Sequence, residues 1–309
     1  MNYYIGIDGG GTKSRILAAD QTGQPIDLLF GKSTNLASNT EEFVRRSLNG
    51  LFTALLTKNN LAPAMCLGLC IGSAGLDFPE NCELMENIIR ETGFICPVLA
   101  VNDSLPVLVT ATGGKPGVVL ISGTGSIAYG IDSKGNRTRV GGWGHIFDDE
   151  GSGYWIGKEA LRHAFFAYDK RGEKTVLEDY LVKHFGVNDL IECMDKIYGD
   201  NAVSKAEIAE LAFYVKEGAQ CGDRVCQQIL INAAKGLFLL ADTALKNIDK
   251  EKPNVTVSGG CIMSNDILFD ELKKQVNEAY PCIQVSRIEK EPVYGAVYLA
   301  MNRNNEFYL

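Results

Sequence analysis

The stretch Tyr4-Ile5-Gly6-Ile7-Asp8-Gly9-Gly10-Gly11-Thr12-Lys13-Ser14-Arg15 decides the fold. An apolar strand runs into three glycines, and residues 15–20 read as a returning strand. Gln21-Thr22-Gly23 turns the chain again into residues 26–30, so the opening reads as a three-strand meander. The pattern then returns. Val118 to Ser122 is a strand, Gly123-Thr124-Gly125 a turn, and Ile127 to Ile131 a strand; Lys134-Gly135 turns into Arg137 to Val140. A strand–glycine-turn–strand unit used twice points to a duplicated α/β core, with Gly113-Gly114-Lys115-Pro116-Gly117 as the linker.

Between the two meanders, the spacing of Phe43, Leu48, Leu51, Leu55 and Leu56 predicts a helix capped by Asn39 or Thr40. A buried strand at Cys66 to Ile71, a helix over residues 83–92 and a short strand at Val98 to Val101 follow, and Asn102-Asp103 opens another helix. Beyond Gly151 the chain reads as mostly helical. Its longest helix spans about 225–248, with Ile229, Ala233, Leu237, Leu240 and Ala244 on one stripe. A last strand, Val255 to Val257, runs into Ser258-Gly259-Gly260, and helices finish the chain.

The 309 residues are 46% apolar, which is globular composition, and the length favours two domains. A formal net charge of -8 and no basic run argue against nucleic acid or an anionic membrane as partner. No apolar run reaches the roughly 20 residues of a membrane helix. Residues 1–8 carry no secretion signal, and the nine scattered Cys contain no C-x-x-C pair, so we expect a cytoplasmic protein with reduced thiols.

Several segments can carry chemistry. Glycines at 9–11 let backbone amides approach an anion, Thr12 and Lys13 add donors, and Asp8 at the strand end can hold a hydrated Mg²⁺. This is not a P-loop, because Thr12 stands where the Lys belongs and a strand follows instead of a helix. For the same reason Ser122-Gly123-Thr124-Gly125-Ser126 is a second phosphate-cradling hairpin and not a dinucleotide fingerprint. Gly259-Gly260 offers side-chain-free backbone to a base or ribose, or is a plain strand-to-helix turn. Asp103 is either a helix cap or a base that deprotonates a substrate hydroxyl. The run from Gly141 to Ser152 gathers Trp143, His145, Asp148, Asp149 and Glu150, a composition suited to a polyhydroxylated ligand. A zinc site on His145 is disfavoured because no second His is near.

In this order the segments resemble the actin–sugar kinase–heat-shock ATPase superfamily, and within it the N-acetylglucosamine kinase branch of the BadF/BadG/BcrA/BcrD ATPases. The specific stretches are residues 5–12, Ser33-Thr34-Asn35, Val118 to Ser126, Gly141-Gly142-Trp143-Gly144-His145, Asp149 to Ser152 with Tyr154-Trp155-Ile156, and Glu217-Gly218-Ala219-Gln220. The resemblance runs to Gly295-Ala296. It implies an α/β protein of two ribonuclease-H-like lobes with a cleft between them, residues 1–112 plus about 290–309 forming one lobe and 113–289 the other. It further implies an ATP-dependent, Mg²⁺-requiring kinase for the 6-hydroxyl of an amino sugar, and a homodimer would fit the family. By resemblance, Gly11, Thr12 and Lys13 with Ser122, Gly123, Thr124, Gly125 and Ser126 hold the ATP phosphates, and Asp8 supports the metal. Ala219, Gly259 and Gly260 lie near the nucleoside. Asn35, Ser73, Gly75, Asp103, Gly142, Trp143, Gly144 and Asp149 line the sugar site, with Asp103 as catalytic base.

Gly72-Ser73-Ala74-Gly75 departs from the paired glycines of the animal kinases, which leaves open the choice among N-acetylglucosamine, glucosamine, N-acetylmuramic acid and glucose. Two alternatives compete. An ATPase that activates a partner enzyme, like the 2-hydroxyacyl-CoA dehydratase activators, needs cluster-binding cysteines in mid-chain, and none occurs between Cys96 and Cys193. A glucokinase of the repressor–open reading frame–kinase family would carry a zinc-binding cysteine cluster after the second phosphate loop, which is missing.

Overall fold

The computed structural model describes residues 1–10, 13–200, 202–248 and 253–303. The chain divides into two units, one of Met1–Pro116, Ser133–Gly135 and the chain from Ile288 on, the other of Gly117–Asp132 and Asn136–Arg287.

In the first unit, β1 (Tyr3–Gly9), β2 (Lys13–Asp20) and β3 (Pro25–Lys32) form the expected antiparallel meander. Helix α1 (Glu41–Asn59) is capped by Thr40, whose hydroxyl accepts from the Phe43 amide. Asn39, the other candidate cap, instead donates to Ser33 Oγ and to the Asn35 carbonyl, each at 3.0 Å, and so braces the loop before the helix. Then come β4 (Cys66–Ser73), α2 (Pro79–Arg90), β5 (Val98–Asn102) and α3 (Ser104–Thr112). Both β4 and β5 run parallel to β1, giving the order β3-β2-β1-β4-β5. Tyr3, Ile5 and Ile7 of β1 and Ile16 and Ala18 of β2 pack with Val44, Leu48, Phe52 and Ile88 of the helices in one core. The alternate residues Leu17 and Ala19 face the other way, as a two-residue period requires.

In the second unit, β6 (Gly117–Ser122), β7 (Ser126–Ile131) and β8 (Arg137–Gly141) repeat the meander. A helical stretch follows: α4 (Gly153–Tyr168), α5 (Leu177–Phe185), α6 (Cys193–Tyr198), α7 (Lys205–Glu210), α8 (Ala212–Gln220) and α9 (Arg224–Asn247). Strand β9 (Val255–Ser258), α10 (Gly260–Met263), α11 (Asp266–Ala279) and β10 (Val285–Arg287) complete it, in the order β8-β7-β6-β9-β10. Strand β10 corrects the expectation that only helices follow Val257. Its three residues pair parallel to Val255–Val257 at the sheet edge, too short a run for any period to register.

Among the described residues α9 alone has the length and apolarity to cross a bilayer. Its stripe Ile229, Ala233, Leu237, Ala241 and Ala244 is the spine of this unit's core. The last helix, α12 (Pro292–Met301), belongs to the first unit, where Val293 and Val297 cover Leu17 and Ala19.

Candidate active site

In the first unit, the carboxyl ends of the parallel strands align. Gly9 of β1 pairs with Ser73 of β4, and Ser73 with Asn102 of β5. Open sheets of this kind bind ligands at that edge. A Cβ on Gly9 would lie 2.3 Å from Thr34 Oγ1 and 2.6 Å from Ser73 Oγ, so only glycine fits there. Ser73 is fully buried, and its hydroxyl donates to the Gly9 carbonyl at 3.1 Å and the Thr34 carbonyl at 3.3 Å. It therefore shapes the edge from behind, where the sequence reading has it lining the sugar site. Asn35 is also nearly buried, its Oδ1 accepting from the Ala37 amide at 2.7 Å, close to the Gly75 turn.

Asp103 stands at the first turn of α3 in helical conformation, and its side chain makes no capping bond. Asn102 does that work, accepting from the Ser104 amide at 2.9 Å while donating to Asp77 at 2.7 Å. The Ser104 amide is thus already bonded to Asn102 at the start of α3. Burial pushes its carboxyl above the usual range, and the charges of Asp8 and Asp77 add to the rise. Asp8, at the end of β1, is also raised by burial, opposed by its bond to Arg15. Arg15 Nη1 reaches Asp8 Oδ2 at 3.0 Å, directly across the β1–β2 ladder, and its Nε lies 3.5 Å from Glu291. The hairpin register alone would have found this cation. Of the expected phosphate loop, Gly11 and Thr12 lie outside the described residues; Lys13 is exposed at the start of β2.

In the second unit, Gly123-Thr124-Gly125 joins β6 to β7 as a tight loop closed by the Gly123 amide on the Gly125 carbonyl at 2.9 Å. The segment leading into α4 clasps it. Ser122 Oγ donates to the Gly151 carbonyl at 2.8 Å, Ser126 Oγ to the Glu150 carbonyl at 2.7 Å, and the Gly153 amide to the Gly123 carbonyl at 2.8 Å. The two serine hydroxyls are therefore committed to the scaffold, and Thr124 is the exposed donor of the loop. Gly259 has φ +98° and a Cβ there would meet the Ser122 carbonyl oxygen at 2.4 Å, so β9 ends tightly against the hairpin.

A cavity of about 770 Å³ opens beside it, reached by Gly123, Thr124, Gly260 and Asn265 and by the α7–α8 residues Ala209, Phe213 and Lys216. Ala219, expected near the nucleoside, is instead buried in the core; Ala212, Phe213 and Lys216 are the α8 residues that reach the cavity.

Asp149 is 3% exposed with φ +69°. Its Oδ1 accepts from the Ser126 amide at 3.0 Å and its Oδ2 from Lys205 Nζ at 2.9 Å. This holds the hairpin to the start of α7, a use of Asp149 that the sugar-site expectation does not contain. Lys205 has no local signature beyond following the Ser204 capping box, because its partner is 56 residues away. Gly142 and Gly144 both have positive φ, and between them Trp143 is 64% exposed, stacked under Arg139 at 4.1 Å with its amide donating to Asp148 at 2.7 Å. Among the described residues no group of three His, Cys, Asp or Glu side chains is placed to hold a metal ion.

Two sheets of one order, each a meander extended by parallel strands, define the actin-like fold shared by sugar kinases. The chain belongs to the BadF/BadG/BcrA/BcrD ATPase family, whose model matches residues 5–300. It is 36% identical over 302 residues to the N-acetylmuramic acid/N-acetylglucosamine kinase of Clostridium acetobutylicum, covering 97% of this chain and 98% of that one. The N-acetyl-D-glucosamine kinase of Dictyostelium discoideum is 32% identical over 311 residues, again 97% and 98% of the two chains. A solved structure from Chromobacterium violaceum, provisionally named an N-acetylglucosamine kinase, superposes with a TM-score of 0.77 at 24% identity over 97% of this chain and 99% of that one.

Proposed function

We propose that the protein is an ATP-dependent amino-sugar kinase that phosphorylates the 6-hydroxyl of N-acetylglucosamine or a close relative. The observation that carries this reading is Asp103, a half-buried carboxyl with a raised pKa and no side-chain capping bond at the end of a parallel strand. The curated relatives support the substrate class, since their names join N-acetylglucosamine, N-acetylmuramic acid and glucosamine to kinase activity.

In this reading Asp103 accepts a hydrogen bond from the sugar hydroxyl and aligns its oxygen on the γ-phosphorus. The O–P bond to that oxygen forms as the bond from the γ-phosphorus to the β,γ-bridging oxygen breaks. The proton passes late to Asp103, and ADP leaves with the bridging oxygen. A pKa raised toward the working pH makes the carboxylate a better matched base. Asn35, Gly75, Gly142, Trp143 and Gly144 are assigned to the sugar, with Ser73 shaping the edge behind them. The hairpin loop, Lys13, Gly259 and Gly260 are assigned to ATP, with Thr124 as the side-chain donor to its phosphates.

Asp8, oriented through Oδ2 by Arg15, would hold a hydrated Mg²⁺, an ion that needs only one or two protein carboxylates. When bound, the ion would neutralise charge on the phosphates. A small sugar as partner and a cytosolic setting belong to the same reading.

The test is ADP release from Mg²⁺-ATP with N-acetylglucosamine, glucosamine, N-acetylmuramic acid, N-acetylmannosamine, glucose and no sugar. Release that depends on one or two amino sugars is expected. Equal release with and without every sugar would sink the kinase reading.

A further inference from the structure

The cavity of the second unit is lined by one large aromatic side chain, Phe213. Leu211 and Val215, one turn apart and fully buried, mark the core face of α8, and Phe213, two residues from each, projects from the opposite face, 58% exposed and lining the cavity. Its neighbour Tyr214 has partners, with its ring beside His184 and its hydroxyl 3.2 Å from His184 Nδ1. Among the described residues the Phe213 ring meets one other aromatic ring, Tyr214, edge-on at 5.4 Å. Large aromatic side chains gain from leaving water, so one left beside a cavity is a seat for a planar guest.

The rest of the lining suits the same guest. Gly123 and Gly260 bring bare backbone to the cavity. A Cβ on Gly260 would meet nothing within 4 Å, and one on Gly123 only the Gly260 amide at 4.0 Å. Thr124 marks the phosphate end, and Lys216, one turn along α8 from Phe213, supplies a cation.

We infer that Phe213 stacks on the nucleobase of the bound nucleotide, with the Gly260 backbone lining the same slot. The inference deepens the kinase reading and rests on it. Every nucleobase has a π-face, so Phe213 supplies affinity more than base selection.

The test is calorimetric binding of ADP and of inorganic tripolyphosphate to the full-length wild-type protein, F213A and F213Y. Phe213 is exposed, so F213A retains the fold, checked by an unchanged melting temperature. Base–aromatic stacking predicts a loss of roughly tenfold or more in ADP affinity for F213A. Tripolyphosphate affinity stays unchanged, and F213Y binds ADP within about threefold of wild type. An ADP loss under twofold, or an equal loss for tripolyphosphate, overturns the stacking role while leaving the kinase reading intact. No ADP binding by the wild type overturns both.

Discussion

Replacing Lys205 with Met strands Asp149. The Asp149 side chain is 4% exposed and Lys205 35% exposed, so the carboxylate is held away from water by a cation that is itself part solvated. Breaking a fully buried pair costs about 3–5 kcal/mol. Here the Ser126 amide still bonds Asp149, and the lysine end of the pair is partly screened, which lowers the expected cost to about 2–3 kcal/mol. For a unit of this size that lowers the melting temperature by roughly 4–12 °C. Asp149→Asn removes the charge and releases Lys205 to water, so its cost is smaller, about 1 kcal/mol. The double variant should then melt close to Asp149→Asn alone, because the stranded charge no longer exists. Scanning calorimetry of the three variants measures all of this. Kinetics adds a second reading: a hairpin released from α7 raises KM for ATP and leaves KM for the sugar alone. Lys205→Met melting within about 1 °C of wild type, or costs that simply add in the double variant, would refute the strut. A rise in sugar KM confined to Asp149→Asn would return Asp149 to the sugar site.

Asp103→Asn should lower kcat by two or more powers of ten at nearly unchanged ATP affinity, without loss of melting temperature, since no capping bond is removed; turnover within a fewfold of wild type would discard it as the base. The same carboxyl carries a sign for pH. Its folded pKa is raised, so the native state holds the proton more tightly than the unfolded chain, and stability falls as pH rises from the unfolded toward the folded value. Subtracting the Asp103→Asn pH–stability curve from that of wild type should show this fall, and kcat/KM should drop on the acid side as Asp103 protonates; a flat difference curve would contradict the burial that causes the shift. Thr124→Val should raise KM for ATP by roughly 2–10-fold, the worth of one hydrogen bond, with the sugar KM unmoved; the reverse pattern in steady-state kinetics would misplace the phosphate loop. Gly9→Ala should push Ser73 and Thr34 apart and lower both activity and melting temperature, whereas a neutral result would contradict the close approach at the strand edge.

The two meanders were legible because each strand and turn is written locally, in alternating apolar residues and in glycines at the bends. Thr40 and the α9 stripe were readable for the same reason. Asp103 could be singled out, but only the structure shows that Asn102 has taken the capping bond and left the carboxyl available. Other features depend on partners distant in sequence. Lys205 meets Asp149 across 56 residues, and Ser73 donates to the Thr34 carbonyl across 39. Phe213 is one aromatic residue among many until the fold places it on the wall of the cavity. Strand β10 exists because β9 offers it an edge, which three residues cannot announce by themselves.

The placement of α12 sets the order in which the protein can be made. Residues 117–287 are nearly contiguous in the second unit, whereas the first unit needs both the earliest residues and those from Ile288 on. During synthesis Leu17 and Ala19 emerge early, but Val293 and Val297 arrive only after the whole second unit has been translated. At ordinary elongation rates that interval is roughly 15–55 s. Throughout it Leu17 and Ala19 lack the cover that Val293 and Val297 give them. A chain interrupted before Pro292 would keep them uncovered permanently, and its sheet would be prone to self-association while the second unit could still fold.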